Sequence, residues 1–147
     1  MRIAGRGLID RDKPVSFTFD GRRYDGFAGD TVASAMLANG QRLMGRSFKY
    51  HRPRGVLSAG SEEPNALVTT GVGPASEPNV RATMQEIYEG LAVRSQNAWP
   101  SLDLDLMAVN DLASPFLGAG FYYKTFMWPR NFWKRVYEPV IRRAAGL

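Results

Sequence analysis

The alternation of apolar and polar side chains on either side of a tight turn constrains the fold of this chain more than any other feature. The segment Val15–Phe19 alternates apolar and polar residues, which is the two-residue period of a strand with one buried face. Asp20–Gly21 follows, a dipeptide typical of hairpin turns because glycine tolerates a positive φ. Residues 22–27 supply the return strand, so the sequence opens with a predicted β-hairpin.

A short helix is predicted after the hairpin. Asp30 or Thr31 can cap the free N–H groups of its first turn. Asn39–Gly40 ends it, because glycine is common just beyond a helix C-terminus. Together with the later elements, this order predicts an α+β fold. Those elements are two short strands and one or two helical turns, at residues 66–70, 80–84 and 86–91.

The composition excludes several kinds of site. The 147 residues suffice for one domain, or one domain with an extension, and 44% of them are hydrophobic, enough to fill a core of this size. The absence of cysteine excludes disulfides, thiolate metal sites and iron–sulfur clusters, and a single histidine argues against zinc. No apolar run is long enough to span a membrane and no signal peptide is recognised, so we expect a cytoplasmic protein. The net charge of +5 favours an anionic partner without identifying it.

The segment Arg46–Asn65 is the most unusual part of the sequence. No acidic residue occurs between Asp30 and Glu62, whereas basic and aromatic side chains are interleaved around the only histidine, His51. Charges at this density are costly to bury without partners, so the segment is predicted to face an acidic partner, a phosphate or another protein. Pro53 prevents a regular helix through it. The candidate binding residues are Arg46, Lys49, Arg52 and Arg54.

Two other interpretations of this segment stay open at the level of the sequence. It could be a solvated surface loop, or it could bind nucleic acid through its charges and aromatic rings. The later acidic residues and the absence of a nucleic-acid motif argue against the second interpretation. His51 is predicted to orient a neighbour or to lie in an interface, and Asp103 and Asp105 are predicted to be solvated.

The chain changes character after residue 92. Residues 93–147 contain all three tryptophans, and their prolines and glycines forbid long regular elements before about residue 130. This extension is therefore predicted to cover a neighbouring surface. A helix with an apolar stripe follows, and Pro139 interrupts it or starts a second one. The stripe consists of Phe132, Trp133, Val136, Tyr137, Val140 and Ile141.

The order strand, hairpin turn, strand, helix and glycine-rich loop resembles the beginning of the β-grasp ferredoxin fold. Plant-type ferredoxins hold a 2Fe-2S cluster with a C-x4-C-x2-C run and a distant fourth cysteine. Small domains at the head of amine-oxidising flavoenzymes carry the pattern R-G-x-C-x-x-G-x-C-x-x-C, with V-R-A-C further on. The stretches RGVLSAGSEEPN and VRAT align onto it. The resemblance implies a β-grasp domain without its cluster, because the four ligand positions would be Leu57, Glu62, Asn65 and Thr83.

Further motifs extend the resemblance to nearly the whole chain. GDTVASAMLANG, GRSFKYHRPRG, EEPNALV and GFYYKTFMWP are similar to the N-terminal region of the α subunits of heterotetrameric sarcosine oxidases. That family oxidises sarcosine to glycine and passes electrons from FAD to FMN and then to oxygen. The one-carbon unit leaves as formaldehyde or is transferred to tetrahydrofolate. The family's α subunit continues beyond the AAGL of this chain into dinucleotide-binding and folate-binding domains.

The resemblance implies a structural role rather than a catalytic one. It predicts a β-grasp docking domain at residues 1–92 and an aromatic-rich, irregular and helical extension at residues 93–147. No cofactor is expected on this chain, whereas FAD, FMN, NAD and tetrahydrofolate are implied for the whole complex. The implied partners are the other subunits, above all the flavin-bearing β subunit, and the four cationic candidates would contact a flavin phosphate or that subunit. The alternative is a stand-alone module that binds anions or nucleic acid.

Overall fold

The computed structural model describes residues 2–3, 5–115, 129 and 131–144. Within them, five strands form one sheet in the order β2-β1-β7-β5-β6, and β3 pairs with β4 in a small second sheet. β1 and β7 run parallel while the other neighbours are antiparallel, which confirms the predicted α+β, ferredoxin-like class. The elements are β1 Asp10–Phe19, β2 Arg22–Ala28, α1 Val32–Ala38, β3 Gly45–Arg46, β4 Pro53–Arg54, β5 Leu67–Thr70, β6 Glu77–Arg81, β7 Ala92–Arg94 and α2 Glu138–Ala144.

β1 and β2 form the predicted hairpin. Phe17 lies opposite Tyr24 and Phe19 opposite Arg22. The two phenylalanines are buried, as the alternation predicts. Asp20 and Gly21 have φ values of 49° and 77°. Positive φ at both central residues defines a type I′ turn, whose twist matches that of the flanking strands.

The helix α1 begins at a capping box. Thr31 Oγ1 accepts the N–H of Ser34 at 3.2 Å, and Ser34 Oγ accepts the N–H of Thr31 at 2.9 Å. Two of the free donors of the first turn are thereby satisfied. The buried face of α1 joins Phe17 and Phe19 in the core, through Val32, Ala33, Ala35 and Met36.

Asp30 anchors the N-terminal arm beside this cap. Its carboxylate accepts hydrogen bonds from both terminal nitrogens of Arg2 at 2.8 and 2.5 Å, from Ser34 Oγ at 2.7 Å and from the N–H of Phe27 at 3.0 Å. Burial alone would raise the pKa of Asp30, but these bonds and the charge of Arg2 outweigh it and lower the pKa below 3.8. The arm is therefore tied to the start of the helix.

The second half of the sheet differs from its prediction. The strand expected at residues 80–84 lies at 77–81, and β7 was not predicted. The helical turns expected at residues 86–91 are wrong, because the main chain there pairs with the start of α1 instead: the N–H of Ile87 donates to the carbonyl of Asp30 at 2.9 Å. Ile87 and Leu91 are both buried. Their spacing of four imitates a helical stripe, although they belong to an extended segment.

The C-terminal part begins a helix as predicted. Trp133–Tyr137 form a π-helical segment that continues into α2, so the second helix starts beside Pro139. Most of the motif GFYYKTFMWP and the end of the motif AAGL lie outside the described residues, and so does the segment 116–128 of the predicted covering extension. β7 spans residues 92–94, where the sequence predicts a boundary between two domains. That boundary stays a prediction. No helix in the described ranges is long and apolar enough to cross a bilayer.

Candidate functional site

The stretch Arg46–Asn65 divides into two loops with different anchors. Residues 46–54, here called the basic loop, run from the last residue of β3 to the end of its partner β4. Residues 57–66, here called the cradle loop, lead into β5. Each loop closes around one buried carboxylate. Asp105 serves the basic loop and is 9% exposed, and Glu63 serves the cradle loop and is 1% exposed.

The basic loop is held in an irregular turn. The N–H of Ser47 donates to the carbonyl of Arg52, and the N–H of His51 donates to the carbonyl of Ser47, both at 2.9 Å. The N–H of Arg52 donates to Ser47 Oγ at 3.0 Å. His51 has a φ of 54°, which is uncommon for a residue other than glycine. The chain thus turns sharply before Pro53, in keeping with the irregular loop predicted from the sequence.

His51, Arg46 and Asp105 form a largely buried polar cluster. His51 Nδ1 lies 2.8 Å from Asp105 Oδ2, and Arg46 Nε lies 3.5 Å from the same oxygen. Arg46 also donates from Nε and Nη2 to the carbonyl of Leu102, at 3.2 and 3.0 Å, and from Nη1 to the carbonyl of His51 at 3.1 Å. The cluster therefore joins the basic loop to residues more than fifty positions later in the chain.

Both oxygens of Asp105 are satisfied. Oδ1 accepts the N–H groups of Trp99 and Met107, each at 3.1 Å. Burial alone would raise the pKa of Asp105, but these bonds and the contact with His51 outweigh it and hold the pKa below 3.8. Asp103 is exposed. The prediction that both aspartates are solvated is therefore wrong for Asp105, which the turn at residues 99–105 directs inward.

Two of the predicted binding cations lie over the aromatic ring of Tyr50. Lys49 Nζ lies 4.9 Å and Arg52 Cζ lies 4.7 Å from the ring centroid, within the range of cation–π attraction. Arg52 also pairs with Asp111, with its Nε and Nη2 both 2.9 Å from Oδ1. The side chains of this pair are 56% and 47% exposed. The Arg52 guanidinium is thus oriented while it still faces solvent.

Arg54 faces the other loop. Its Nη1 donates to Asn65 Oδ1 at 2.5 Å, and its carbonyl accepts the N–H of Met44 at 2.9 Å. A Cβ at the following residue, Gly55, would collide with the carbonyl oxygen of Arg42, so glycine is required there. Arg54 therefore connects the basic loop to the cradle loop.

The four predicted binding residues lie together but point in different directions. The Arg46 side chain is only 12% exposed and would have to leave the Leu102 carbonyl to meet a ligand. Arg54 is half-buried and directed at Asn65. Lys49 and Arg52 lie at Tyr50 on the outer side of the loop. An anionic partner can reach Arg52 without disturbing the buried cluster.

An exposed apolar segment, here called the apolar ridge, lies beside the basic loop. Residues 106–111 form a 3₁₀ helix whose N-terminus is capped by Asp105, and the same residue contacts His51. Arg52 reaches the end of this helix at Asp111. Exposed apolar patches of this kind mark interaction surfaces more often than scattered single residues do. The ridge consists of Trp99, Leu104, Leu106, Met107, Val109 and Leu112, which are between 41% and 81% exposed.

The cradle loop converges on Glu63. Four main-chain N–H groups of the loop donate to its two carboxylate oxygens. Burial alone would raise the pKa of Glu63, but these four bonds outweigh it and hold the pKa below 4.5. The loop is braced from outside as well, because Thr83 Oγ1 donates to the carbonyl of Gly60 at 2.6 Å and Arg81 Nε donates to the carbonyl of Glu63 at 3.3 Å.

An iron–sulfur cluster of the kind that ferredoxins of this fold hold does not fit these residues. Of the four aligned ligand positions, Leu57 has no ligand atom in its side chain and is 71% exposed, and Glu62 is exposed. Asn65 and Thr83 are engaged with Arg54 and Gly60. In the part of the chain that the structure describes, no group of three His, Cys, Asp or Glu side chains could hold a metal ion.

Sequence reasoning missed the two carboxylates on which the loops depend. Glu63 stands next to Glu62 in the sequence, and the alignment with the cluster motif selects Glu62 as the ligand position. Apart from Pro64, nothing in the local pattern separates the exposed glutamate from the buried one. Asp105 likewise follows the exposed Asp103 at an interval of two residues. One available signal for Glu63 is that it precedes Pro64. A residue before proline is disfavoured in the helical conformation, so the pair is typical of an extended segment or a turn.

The comparisons with known proteins agree with this architecture. Residues 12–98 match a family model described as a 2Fe-2S iron–sulfur cluster binding domain. The chain is 70% identical over 146 residues to the sarcosine oxidase subunit alpha of Rhizobium meliloti (strain 1021), covering 99% of this chain and 15% of the relative. It is 49% identical over 86 residues to the sarcosine oxidase subunit alpha of Corynebacterium sp. (strain U-96), covering 56% of this chain and 9% of the relative.

A solved structure, that of L-proline dehydrogenase from P. horikoshii, superposes with a TM-score of 0.47 at 22% identity, over 63% of this chain and 17% of that chain. The chain spans 15% or less of the length of the two sarcosine oxidase relatives. It matches their N-terminal region, and the family model covers more than half of its residues. The chain therefore belongs to the family of 2Fe-2S iron–sulfur cluster binding domains, although its sequence contains no cysteine.

Proposed function

We propose that this chain is the N-terminal docking domain of the α subunit of a multi-subunit sarcosine oxidase. The observation that carries the proposal is the 70% identity to the Rhizobium meliloti α subunit along 99% of this chain. Since the sequence has no cysteine, the domain cannot relay electrons through a ferredoxin-type cluster. Its contribution is to bind and position other parts of the assembly.

In such an assembly sarcosine is demethylated oxidatively to glycine. Oxygen is reduced to hydrogen peroxide, and the methyl carbon leaves as formaldehyde or as methylene-tetrahydrofolate. Removing a hydride from an amine needs a cofactor such as a flavin. FAD, FMN, NAD and tetrahydrofolate accordingly belong to other parts of the complex, and the present chain supplies a surface that those parts recognise.

The proposed docking surface combines the basic loop with the apolar ridge. Arg52 offers an oriented guanidinium on its outer side, held by Tyr50 and Asp111, so little conformational entropy is lost when a carboxylate binds it. The ridge adds exposed side chains such as Leu112 and Trp99. Interfaces between subunits often have an apolar centre with arginine and aromatic residues. The partner we propose is the flavin-bearing β subunit, through a surface with an acidic rim.

The same surface is less suited to nucleic acid. Lys49 and Arg52 already lie over the ring of Tyr50, where they compete with a stacked base. The basic loop is also an irregular turn, so it offers no helix for a DNA groove. These features favour a protein partner over the alternative of a nucleic-acid module.

The test uses the tagged chain co-expressed with the other sarcosine oxidase subunits. Arg52→Ala should weaken assembly by about tenfold or more, because truncating one partner of a desolvated charge pair costs on the order of 2–5 kcal/mol. The matched control is Arg22→Ala, which removes an exposed arginine at the hairpin turn and should assemble normally. Size-exclusion chromatography with flavin absorbance measures assembly, and circular dichroism of the isolated chain verifies folding.

The apolar ridge provides an independent arm of the same test. Leu112→Asp should disrupt assembly, whereas Leu8→Asp, at another fully exposed leucine, should not. The docking proposal is overturned if Arg52→Ala and Leu112→Asp both assemble like their controls. A chain that instead binds single-stranded DNA, with a salt dependence that Arg52→Ala reduces, would belong to the nucleic-acid class.

A further inference from the structure

The cradle loop is built around a carboxylate. Glu63 Oε2 accepts the N–H groups of Leu57 and Ser58, both at 2.7 Å. Oε1 accepts those of Asn65 and Ala66 at 2.7 and 3.0 Å. All four donors are main-chain groups of the loop itself, on both sides of the residue they bind. Main-chain N–H groups that converge in this way form a concave anion-binding site.

These bonds explain how a nearly fully buried carboxylate is tolerated. A buried anion is costly unless its lone pairs are satisfied, and two donors on each oxygen of Glu63 satisfy them. Hydrogen bonds to an ionised acceptor are stronger than those between neutral groups. Among the residues that the structure describes, no lysine, arginine or histidine side chain forms an ion pair with the Glu63 carboxylate. The site therefore recognises negative charge with main-chain dipoles.

The shape of the loop does not depend on Glu63 alone. Thr83 Oγ1 holds the carbonyl of Gly60, and Arg54 holds the side chain of Asn65. Both braces come from outside the loop and use atoms other than the carboxylate. They can keep the four N–H groups near one another when the glutamate side chain is shortened.

We propose that the cradle loop is an anion-binding site whose resident anion is the Glu63 side chain, and that it binds small carboxylates from solution once that side chain is removed. An iron–sulfur cluster is also an anionic group whose sulfurs accept hydrogen bonds. The proposal explains physically how a chain of a cluster-binding family can form this loop without the cysteines that hold a cluster. The loop is organised by an anion that the chain itself carries, and it folds without iron.

The test is chemical rescue of Glu63→Ala by formate. The variant leaves a gap the size of one CH₂ group and one carboxylate beside four unpaired donors, so its melting temperature should fall by about 10 °C or more. Sodium formate should raise that temperature saturably by at least about 5 °C relative to sodium chloride at equal ionic strength. The matched control is Glu62→Ala, which removes the neighbouring exposed glutamate. Neither this control nor the unaltered chain should respond specifically to formate.

Equal responses to formate in Glu63→Ala, in Glu62→Ala and in the unaltered chain would overturn the proposal. If Glu63→Ala fails to fold, hydrogen exchange of the unaltered chain decides. The amides of Leu57, Ser58, Asn65 and Ala66 should be protected at least about a hundredfold over unstructured amides. Exchange at unstructured rates would contradict the site. Neither measurement involves partner subunits, so its failure leaves the docking proposal untouched.

Discussion

Glu63 and Asp105 are both buried carboxylates, yet they hold different kinds of structure. The four donors to Glu63 are main-chain groups within six residues of it. Asp105 also accepts two nearby main-chain N–H groups with Oδ1, but its Oδ2 contacts the side chain of His51, 54 residues away, and lies near that of Arg46. A carboxylate bound by its own loop fixes the shape of that loop. A carboxylate bound by remote side chains fixes the position of one segment relative to another.

The two loops are therefore suited to different roles. The cradle loop is closed on itself and presents no charge of Glu63 to solvent. The basic loop is joined to the apolar ridge through the buried Asp105 and, nearer to solvent, through the pair of Arg52 with Asp111. Substitutions at the two carboxylates and at Arg52 should separate these roles, and the expected effect on stability decreases from Glu63 through Asp105 to Arg52.

The largest effect is expected for Glu63→Gln. The amide NH₂ would face two N–H donors of the cradle loop, whichever way the side chain is placed. Leaving such buried donors unpaired should lower the free energy of unfolding by about 3–5 kcal/mol. Urea denaturation measures the change. Glu62→Gln is the control and should stay within about 0.5 kcal/mol of the unaltered chain, and a similarly small change for Glu63→Gln would remove the basis of the comparison.

The same variant should also alter the acid sensitivity of the chain. The pKa of Glu63 in the folded chain lies below its ordinary value of 4.5. Its contribution to stability is therefore fully present above pH 4.5 and is lost as the pH falls through the folded pKa. Glu63→Gln should lose less stability on acidification below pH 4.5 than the unaltered chain does. Equal acid profiles would show that Glu63 is not the titrating group.

An intermediate effect is expected for Asp105→Asn. The substitution removes the charge beside His51 and Arg46 but keeps one oxygen as an acceptor, so it should cost about 2 kcal/mol. The amides of Trp99 and Met107 should exchange faster, while those of the cradle loop should not change. Asp103→Asn, at the exposed neighbour, serves as the control. If Asp105→Asn also deprotects the cradle loop, the two carboxylates are not independent anchors.

The smallest effect on stability is expected for Arg52→Ala. Its pair with Asp111 is about half exposed on both sides, and exposed pairs of this kind contribute about 0.2–1 kcal/mol. Thermal unfolding should therefore hardly change, although assembly with partner subunits should weaken. A loss of stability comparable to that of Asp105→Asn would mean that Arg52 supports the loop rather than a partner surface.

The sequence sufficed to predict those elements of the fold that are indicated by residues close together in the chain. The alternation in Val15–Phe19, the Asp20–Gly21 turn and the cap at Thr31 were all predicted, because each depends on neighbours within a few residues. β7 was missed because Ala92–Arg94 is short and obtains its hydrogen bonds from remote strands. The helical turns predicted at residues 86–91 are wrong because this segment pairs with the distant start of α1, which the local sequence does not reveal.

The sequence predicted where the candidate site lies, but it did not distinguish the roles of the individual side chains. The charge pattern predicted the basic loop and its four cations as a binding site, and their role in binding stays a prediction. It could not show that Arg46 is held by the carbonyl of Leu102, since that contact depends on the path of the chain after residue 97. Nor could it distinguish Glu63 from Glu62, because the difference lies in which carboxylate the surrounding main chain encloses.

The position of β7 in the middle of the sheet has a consequence for the synthesis of the chain. β1 lies on one side of β7 and β5 on the other, so the sheet cannot be completed on the ribosome before residues 92–94 have emerged. Until then, the inner edges of β1 and β5 are open, and open strand edges invite pairing with other chains. A shortened chain that ends before β7 would keep those edges and would be prone to aggregate, even though most of its core residues would already be present.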